Sequence, residues 1–197
     1  MRIIGITGGI GTGKSTVLQI LENEYNAYVV EADRLAHRLM EPGGSAFSQI
    51  LSTFGEEILD ENGYIDRSVL GGIVFSNQER LQQLNDIVHP LVKEAIKEDI
   101  ANKAQEASYD IYVIEAALLL EDGYREICDT IWYIYSAMDV RIDRLIKGRG
   151  GTREKWISVM NNQSSEAYYR LHCDAVVDNG KTLEDTKEAI AQLLNQC

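Results

Sequence analysis

Gly8-Gly9-Ile10-Gly11-Thr12-Gly13-Lys14-Ser15 is the stretch that decides the fold of this 197-residue chain. It matches G-x-x-x-x-G-K-[ST] in full. An apolar run, Arg2-Ile3-Ile4-Gly5-Ile6-Thr7, precedes it, and a segment with Val17, Leu18 and Leu21 on one helical face follows. Strand before and amphipathic helix after is the context in which this motif works. Its glycines let the backbone wrap tightly with N–H groups turned inward, toward phosphate oxygens. The following helix presents its positive N-terminal end to the same charge. On this reading Gly8, Gly9, Gly11, Thr12, Gly13, Lys14, Ser15 and Thr16 bind the phosphates of a nucleotide. Lys14 reaches the β- and γ-phosphates, and the Ser15 hydroxyl ligates Mg²⁺.

Working outward, five short runs rich in β-branched and aromatic residues read as strands: Ile3–Thr7, Ala27–Glu31, Ile111–Glu115, Thr130–Tyr135 and Ala175–Asp178. They are mostly apolar without alternation, the pattern of strands covered on both faces of a parallel sheet. Helical patterns lie between them. Residues 14–24 form one. Residues 77–104 carry Leu81, Leu84, Val88, Leu91, Val92, Ala95, Ile96 and Ile100 at helical spacing, interrupted by Pro90. That proline marks either a kink or the start of a second helix. Residues 182–194 read as a helix capped by Thr182 with Asp185 three residues on. Strand–helix alternation predicts an α/β fold with helices on both faces of a five-stranded parallel sheet.

Residues 33–108 have almost no strand signal and read as a helical insert between the second and third strands. The expected organisation is one domain with two appendages. The core takes residues 1–32, 108–138 and 172–197, the insert residues 33–107, and the second appendage residues 139–171.

Composition narrows the class. The apolar fraction of 45% and charged fraction of 25% are globular averages. The longest apolar run, Ala116 to Leu120, is far too short to span a bilayer, and no signal peptide is recognisable. Cys128, Cys173 and Cys197 lack C-x-x-C spacing and are odd in number, which fits a reducing cytoplasm better than a disulfide framework or zinc site. A net charge of −12 argues against general nucleic-acid binding, and with so short an apolar run no membrane partner is expected either. Against that background, Arg141, Arg144, Lys147, Arg149, Arg153 and Lys155 face only Asp143 and Glu154 between residues 141 and 155. The cluster is either a site for a compact anion or a solvated helix face.

Other candidate residues stand at strand ends. Carboxylates at the C-terminal ends of strands beside a phosphate loop face the ligand crevice of such a sheet. Asp33, two residues past Glu31, suits a base or a positioning group for a nucleophile. Glu115 suits a holder of metal-bound water. The plain structural alternatives are a helix N-cap pair at Glu31 and Asp33, and a structural Glu115. A guanine-specific element is missing: Asn102-Lys103-Ala104-Gln105 lacks the aspartate of N-K-x-D. Trp132, Tyr133 and Tyr135 read as core packing.

One resemblance runs along nearly the whole chain. The phosphate loop, Glu31-Ala32-Asp33, Phe54-Gly55, Asp66-Arg67, His89-Pro90, Glu115 to Glu121, Arg144 to Gly151, Gln163 and Asp178-Asn179 occur in the order seen in the dephospho-coenzyme A kinase family. The chain differs from the common family pattern at Glu31, at Ala117 and in the spacing from Arg144 to Arg149. The resemblance implies a P-loop NTPase fold and transfer of the ATP γ-phosphoryl group to the ribose 3′-hydroxyl of dephospho-coenzyme A. It further implies that Lys14, Asp33 and Arg149 are catalytic, and that Arg144 and Arg149 contact ATP from an arginine-rich lid. Asp33, His89, Glu115 and Leu118 would then face the acceptor. Another metabolite kinase and a regulatory ATPase remain the alternatives, and the oligomeric state is not legible.

Overall fold

β1 (Arg2–Thr7) is central because its side chains are covered on both faces: Ile4, Ile6 and Thr7 are fully buried. The computed structural model describes residues 1–195, so the Cys197 reading lies outside the described residues. After β1, α1 (Lys14–Glu24) leads into β2 (Ala27–Glu31). Four helices follow: α2 (Ala32–Leu39), α3 (Phe47–Phe54), α4 (Arg67–Phe75) and α5 (Gln78–Glu106). The chain then alternates through β3 (Ile111–Glu115), β4 (Thr130–Tyr135), α6 (Met138–Arg149), α7 (Arg153–Asn161), α8 (Glu166–His172), β5 (Ala175–Asp178) and α9 (Leu183–Asn195). The sheet order is β2-β3-β1-β4-β5, with β1 paired in parallel to β3 and β4, and β4 to β5. The five predicted strands are the five observed ones.

Two compact units divide the chain: Met1–Val29 with the chain from Glu106 on, and Val30–Gln105. In the first, Val17, Leu18 and Leu21 of α1 and Ile190 of α9 pack on Ile4, Ile6, Val113, Trp132 and Ile134 of the sheet. Trp132 and Tyr133 are buried as expected, and Tyr133 stacks on Tyr169 with ring centroids 4.8 Å apart. Thr182 and Asp185 form the predicted reciprocal cap at the start of α9.

Aspartates set the strand entries. Asp129, just before β4, accepts from Ile3 N at 2.7 Å while its own N–H donates to Ile3 O. Asp174, just before β5, repeats the device on Ile131 and also pairs through both carboxylate oxygens with Arg125. One side chain thus ties a 3-10 turn (Tyr124–Glu126), β4 and β5 together.

In the second unit Pro90 lies inside a single continuous α5, so the two-helix alternative does not hold. A lost N–H at one position is tolerable in a long helix whose buried stripe, Val88, Val92 and Ile96, continues past it. Asp66 caps α4 by accepting from Ser68 N and Val69 N. No helix among the described residues is long and apolar enough to cross a membrane.

The Arg125 partner is the main reason the Asp174 carboxyl lies below its ordinary pKa. Its contribution is therefore present above the unfolded value and is lost as pH falls through the folded one. Asp174→Ala should cost about 1 kcal/mol at pH 7, discounted because both side chains are well exposed. Denaturant titration should show the gap to wild type closing below pH about 4.

Candidate active site

The phosphate loop leaves β1 at Gly8 and enters α1 at Lys14. Two of its glycines are required by contact. A Cβ on Gly8 would lie 2.6 Å from Ile134 O, and one on Gly13 would lie 2.2 Å from Asn179 Nδ2 in a backbone with φ +83°. Gly13 is the N-cap of α1 and offers no side chain, so the opening N–H groups of that helix have no capping acceptor of their own.

The loop's carbonyls, by contrast, are held from outside. Lys14 Nζ donates to Gly8 O at 2.9 Å, and the Thr12 hydroxyl to Gly9 O at 2.9 Å. Arg141 Nε donates to Ile10 O at 2.8 Å, while Ile10 N donates to Gln163 Oε1 at 2.9 Å. Thr12 O receives three donors: Asn179 Nδ2 at 2.9 Å, Ser136 Oγ at 3.1 Å and Arg144 Nη1 at 3.2 Å. Gly13 O receives Asn179 Nδ2 at 3.1 Å and Thr16 N at 3.0 Å. The Ile10 side chain packs against the Ile142, Leu145 and Trp156 cluster of α6 and α7.

Two residues expected to contact the nucleotide have side-chain partners within the protein. Arg144, expected to contact ATP from a mobile lid, is engaged with Thr12 O, Ser136 Oγ and Asn179 O, the last at 2.7 Å. It grips the loop from behind because α6 begins right after β4 and runs alongside the loop. Thr12, expected among the phosphate ligands, is 1% exposed and its hydroxyl closes the loop on Gly9. What it offers a ligand is backbone. Of the remaining basic residues, Arg149 is exposed at the C-terminal end of α6, and Arg153 pairs with Asp139.

Lys14 Nζ also stands 3.4 Å from Glu115 at the end of β3, so these two predicted residues are brought together. Ser15 is exposed in the first turn of α1, Thr16 is half-buried, and Leu118 is 47% exposed in the turn after β3. Among the described residues no three His, Cys, Asp or Glu side chains form a metal cage. Mg²⁺ needs none, since one or two protein oxygens suffice beside phosphates and water. The Ser15 hydroxyl and Glu115 carboxylate are oxygen donors of that kind.

The second unit carries Asp33 and His89. Glu31, the N-cap residue of α2, makes no side-chain cap; it pairs with Arg34 at 2.9 Å, so the N-cap alternative fails there. Asp33 is exposed in the first turn of α2. His37, one turn later, meets Arg67 Nη2 through Nε2 at 2.8 Å. Guanidinium only donates, so Nε2 accepts and the imidazole is neutral. Burial first and Arg67 second hold the His37 pKa down, with Asp33 pulling it up. His89 lies half-buried in the middle of α5.

Ser136 and Thr186 were not singled out by sequence, Gln163 and Asn179 were quoted without a role, and Arg141 entered only as a member of the basic cluster. One signal was available: Arg141 and Arg144 are three apart and share a helix face. Asn179, at the end of β5, stands where ligand-facing residues collect in such sheets.

Fold and site together define a small-molecule kinase of the P-loop class. Shikimate kinase from Acinetobacter baumannii superposes over the whole chain with a TM-score of 0.54 at 13% identity, covering 94% of that protein. A dephospho-CoA kinase from Campylobacter jejuni does so with a TM-score of 0.71 at 22% identity, covering 97% of that protein. The family model described as dephospho-CoA kinase matches residues 2–185. A dephospho-CoA kinase of Carboxydothermus hydrogenoformans is 37% identical over 196 residues, spanning 100% of this chain and 94% of the relative. The chain belongs to the dephospho-CoA kinase family.

Lys14→Ala removes a charge aimed at the loop and leaves Glu115 without this partner. Turnover should fall about 10²–10³-fold, the scale of losing one preorganised charge stabiliser. Circular dichroism should show an intact fold; a variant retaining more than half of wild-type activity would remove Lys14 from the catalytic set.

Proposed function

We propose that the chain transfers the γ-phosphoryl group of ATP to the ribose 3′-hydroxyl of dephospho-coenzyme A, the step that completes coenzyme A. One observation carries this reading. Similarity to dephospho-CoA kinases spans the full chain, including residues 33–107, and not the phosphate loop alone. The loop is common to many nucleotide enzymes, whereas the insert is the segment assigned to the acceptor.

The residues divide the work as follows. The loop's N–H groups and Lys14 hold the phosphates of the donor. Transfer passes through a loose transition state with charge spread over the phosphoryl oxygens, so positioning and charge stabilisation dominate. Lys14 supplies one fixed positive charge. Arg149, exposed at the end of α6, supplies a second from the lid, residues 139–171, as the part beyond the loop-bound Arg141 and Arg144 closes and excludes water. Asp33 orients the acceptor hydroxyl and takes its proton. Ser15, with the donor phosphates, would hold Mg²⁺, and Glu115 would hold water beside it; the ion would supply positive charge against the phosphates. His89 and Leu118 lie on the acceptor side.

Asp33→Asn keeps the shape and removes the base. Turnover should fall about 10²–10⁴-fold, toward the lower end because a loose transition state needs little early deprotonation. Affinity for ATP should be unchanged. Normal transfer together with a lower melting temperature would reduce Asp33 to a structural residue of α2.

The acceptor is tested directly. MgATP is supplied with dephospho-coenzyme A, AMP, CMP, adenosine or shikimate, and ADP release is followed. Dephospho-coenzyme A should lead by at least about 10²-fold in kcat/KM, roughly 2.7 kcal/mol of differential transition-state binding. Acceptors lacking the pantetheine arm should lose kcat as well as affinity, because remote binding energy orients the reacting hydroxyl. A mononucleotide that equals or beats dephospho-coenzyme A overturns the assignment.

A further inference from the structure

We propose that Asn179 and Thr186, which lie outside the phosphate loop, set the direction of the Thr12–Gly13 peptide and so aim the Gly13 N–H at the bound phosphates. The inference rests on the loop being the nucleotide site and does not depend on which acceptor is used.

A trans peptide is planar, with its C=O and N–H pointing in opposite directions. Whatever fixes the Thr12 carbonyl therefore fixes the Gly13 N–H. That carbonyl has two lone pairs and receives three donors, from Asn179, Ser136 and Arg144. The Asn179 amide reaches Thr12 O at 2.9 Å and Gly13 O at 3.1 Å, so it spans two successive peptides. It presses close enough that only glycine fits at position 13.

Asn179 is itself oriented at every polar atom. Its main-chain N–H donates to Tyr135 O at 2.8 Å, and its carbonyl accepts from Arg144 Nη2 at 2.7 Å. Its Oδ1 accepts from the Thr186 hydroxyl at 3.0 Å. Asn179 is 5% exposed and Thr186 fully buried. The two carbonyls decide which way the amide faces, and the Thr186 hydroxyl holds it there through Oδ1. With the amide reversed, Oδ1 would oppose two carbonyl oxygens, and Nδ2 would face the hydroxyl instead. The Thr186 hydroxyl has a second acceptor in Thr182 O at 3.2 Å, one turn back in α9. The Asn179 contact is the shorter of the two. A residue of the last helix thereby acts on the phosphate loop through one amide, as a positioning group and not a catalytic one.

The test is MgADP binding by calorimetry, which needs no acceptor and so stands even if the acceptor assignment fails. Thr186→Val keeps the shape and deletes the donor; Thr186→Ser keeps the donor and deletes the methyl. Thr186→Val should weaken MgADP about tenfold, the scale of one net hydrogen bond. Thr186→Ser should bind within about twofold of wild type on the same scale. Thr186→Ala, which places no methyl against the Asn179 oxygen, is the second variant should Val disturb folding, and it should show the same loss. Ser136→Ala removes another donor to the same carbonyl, so its effect should couple to that of Thr186→Val instead of adding. Wild-type affinity in folded Val and Ala variants, a Ser variant as weak as Val, or strict additivity with Ser136→Ala would each overturn the proposal.

Discussion

A phosphate loop can offer its N–H groups to a ligand only if its carbonyls are satisfied by something else. Each peptide carries one donor and one acceptor, and a buried unpaired one is costly. Here the carbonyls of Gly8, Gly9, Ile10, Thr12 and Gly13 all receive donors, from Lys14, Thr12, Arg141, Ser136, Arg144, Asn179 and Thr16. Those donors come from α1, α6, the end of β4, the end of β5 and the loop itself. Much of the first unit is arranged so that these groups converge. The order β3-β1-β4-β5 places the ends of β4 and β5 on the α6 side of the loop.

This requirement also explains how an acidic chain manages an anionic substrate. The net charge is −12, and the positive residues near the loop do not make a broad field. Arg141 and Arg144 are individually bound to backbone carbonyls. Burial lowers the Arg141 pKa, yet a guanidinium remains charged in proteins. Each arginine thus serves twice: its N–H groups fix the loop, and its charge stays within a few ångströms of it. Arg149, by contrast, is exposed at the end of α6, which is why the proposed contact with the transferred group is given to it.

The second unit is built on different terms. Its local order comes from caps and turns: Asp66 on α4, Asn77 on α5, and Asp60 turning the chain toward Tyr64. The Asp66-Arg67 pair, which entered as a marker of resemblance, divides into a helix cap and a guanidinium seated on neutral His37. Shikimate kinases share the fold at 11–16% identity, so the architecture by itself leaves the acceptor open.

Most of the fold was legible in the sequence. Strands covered on both faces show as unbroken apolar runs, and a complete phosphate-loop motif dictates the turn between β1 and α1. The cap at Thr182 was equally local, because its donors and acceptors lie within one turn. Pro90 was not decidable, since whether a helix survives a proline depends on what its buried stripe packs against further along. The roles of Arg144, Asn179 and Thr186 were not decidable either. Arg144 was placed in a lid by the resemblance, and Asn179 lies 167 positions from the carbonyl it holds. Periodicity and motif spacing report on neighbours along the chain. Which donor reaches which carbonyl is settled only when the sheet order brings distant strand ends together.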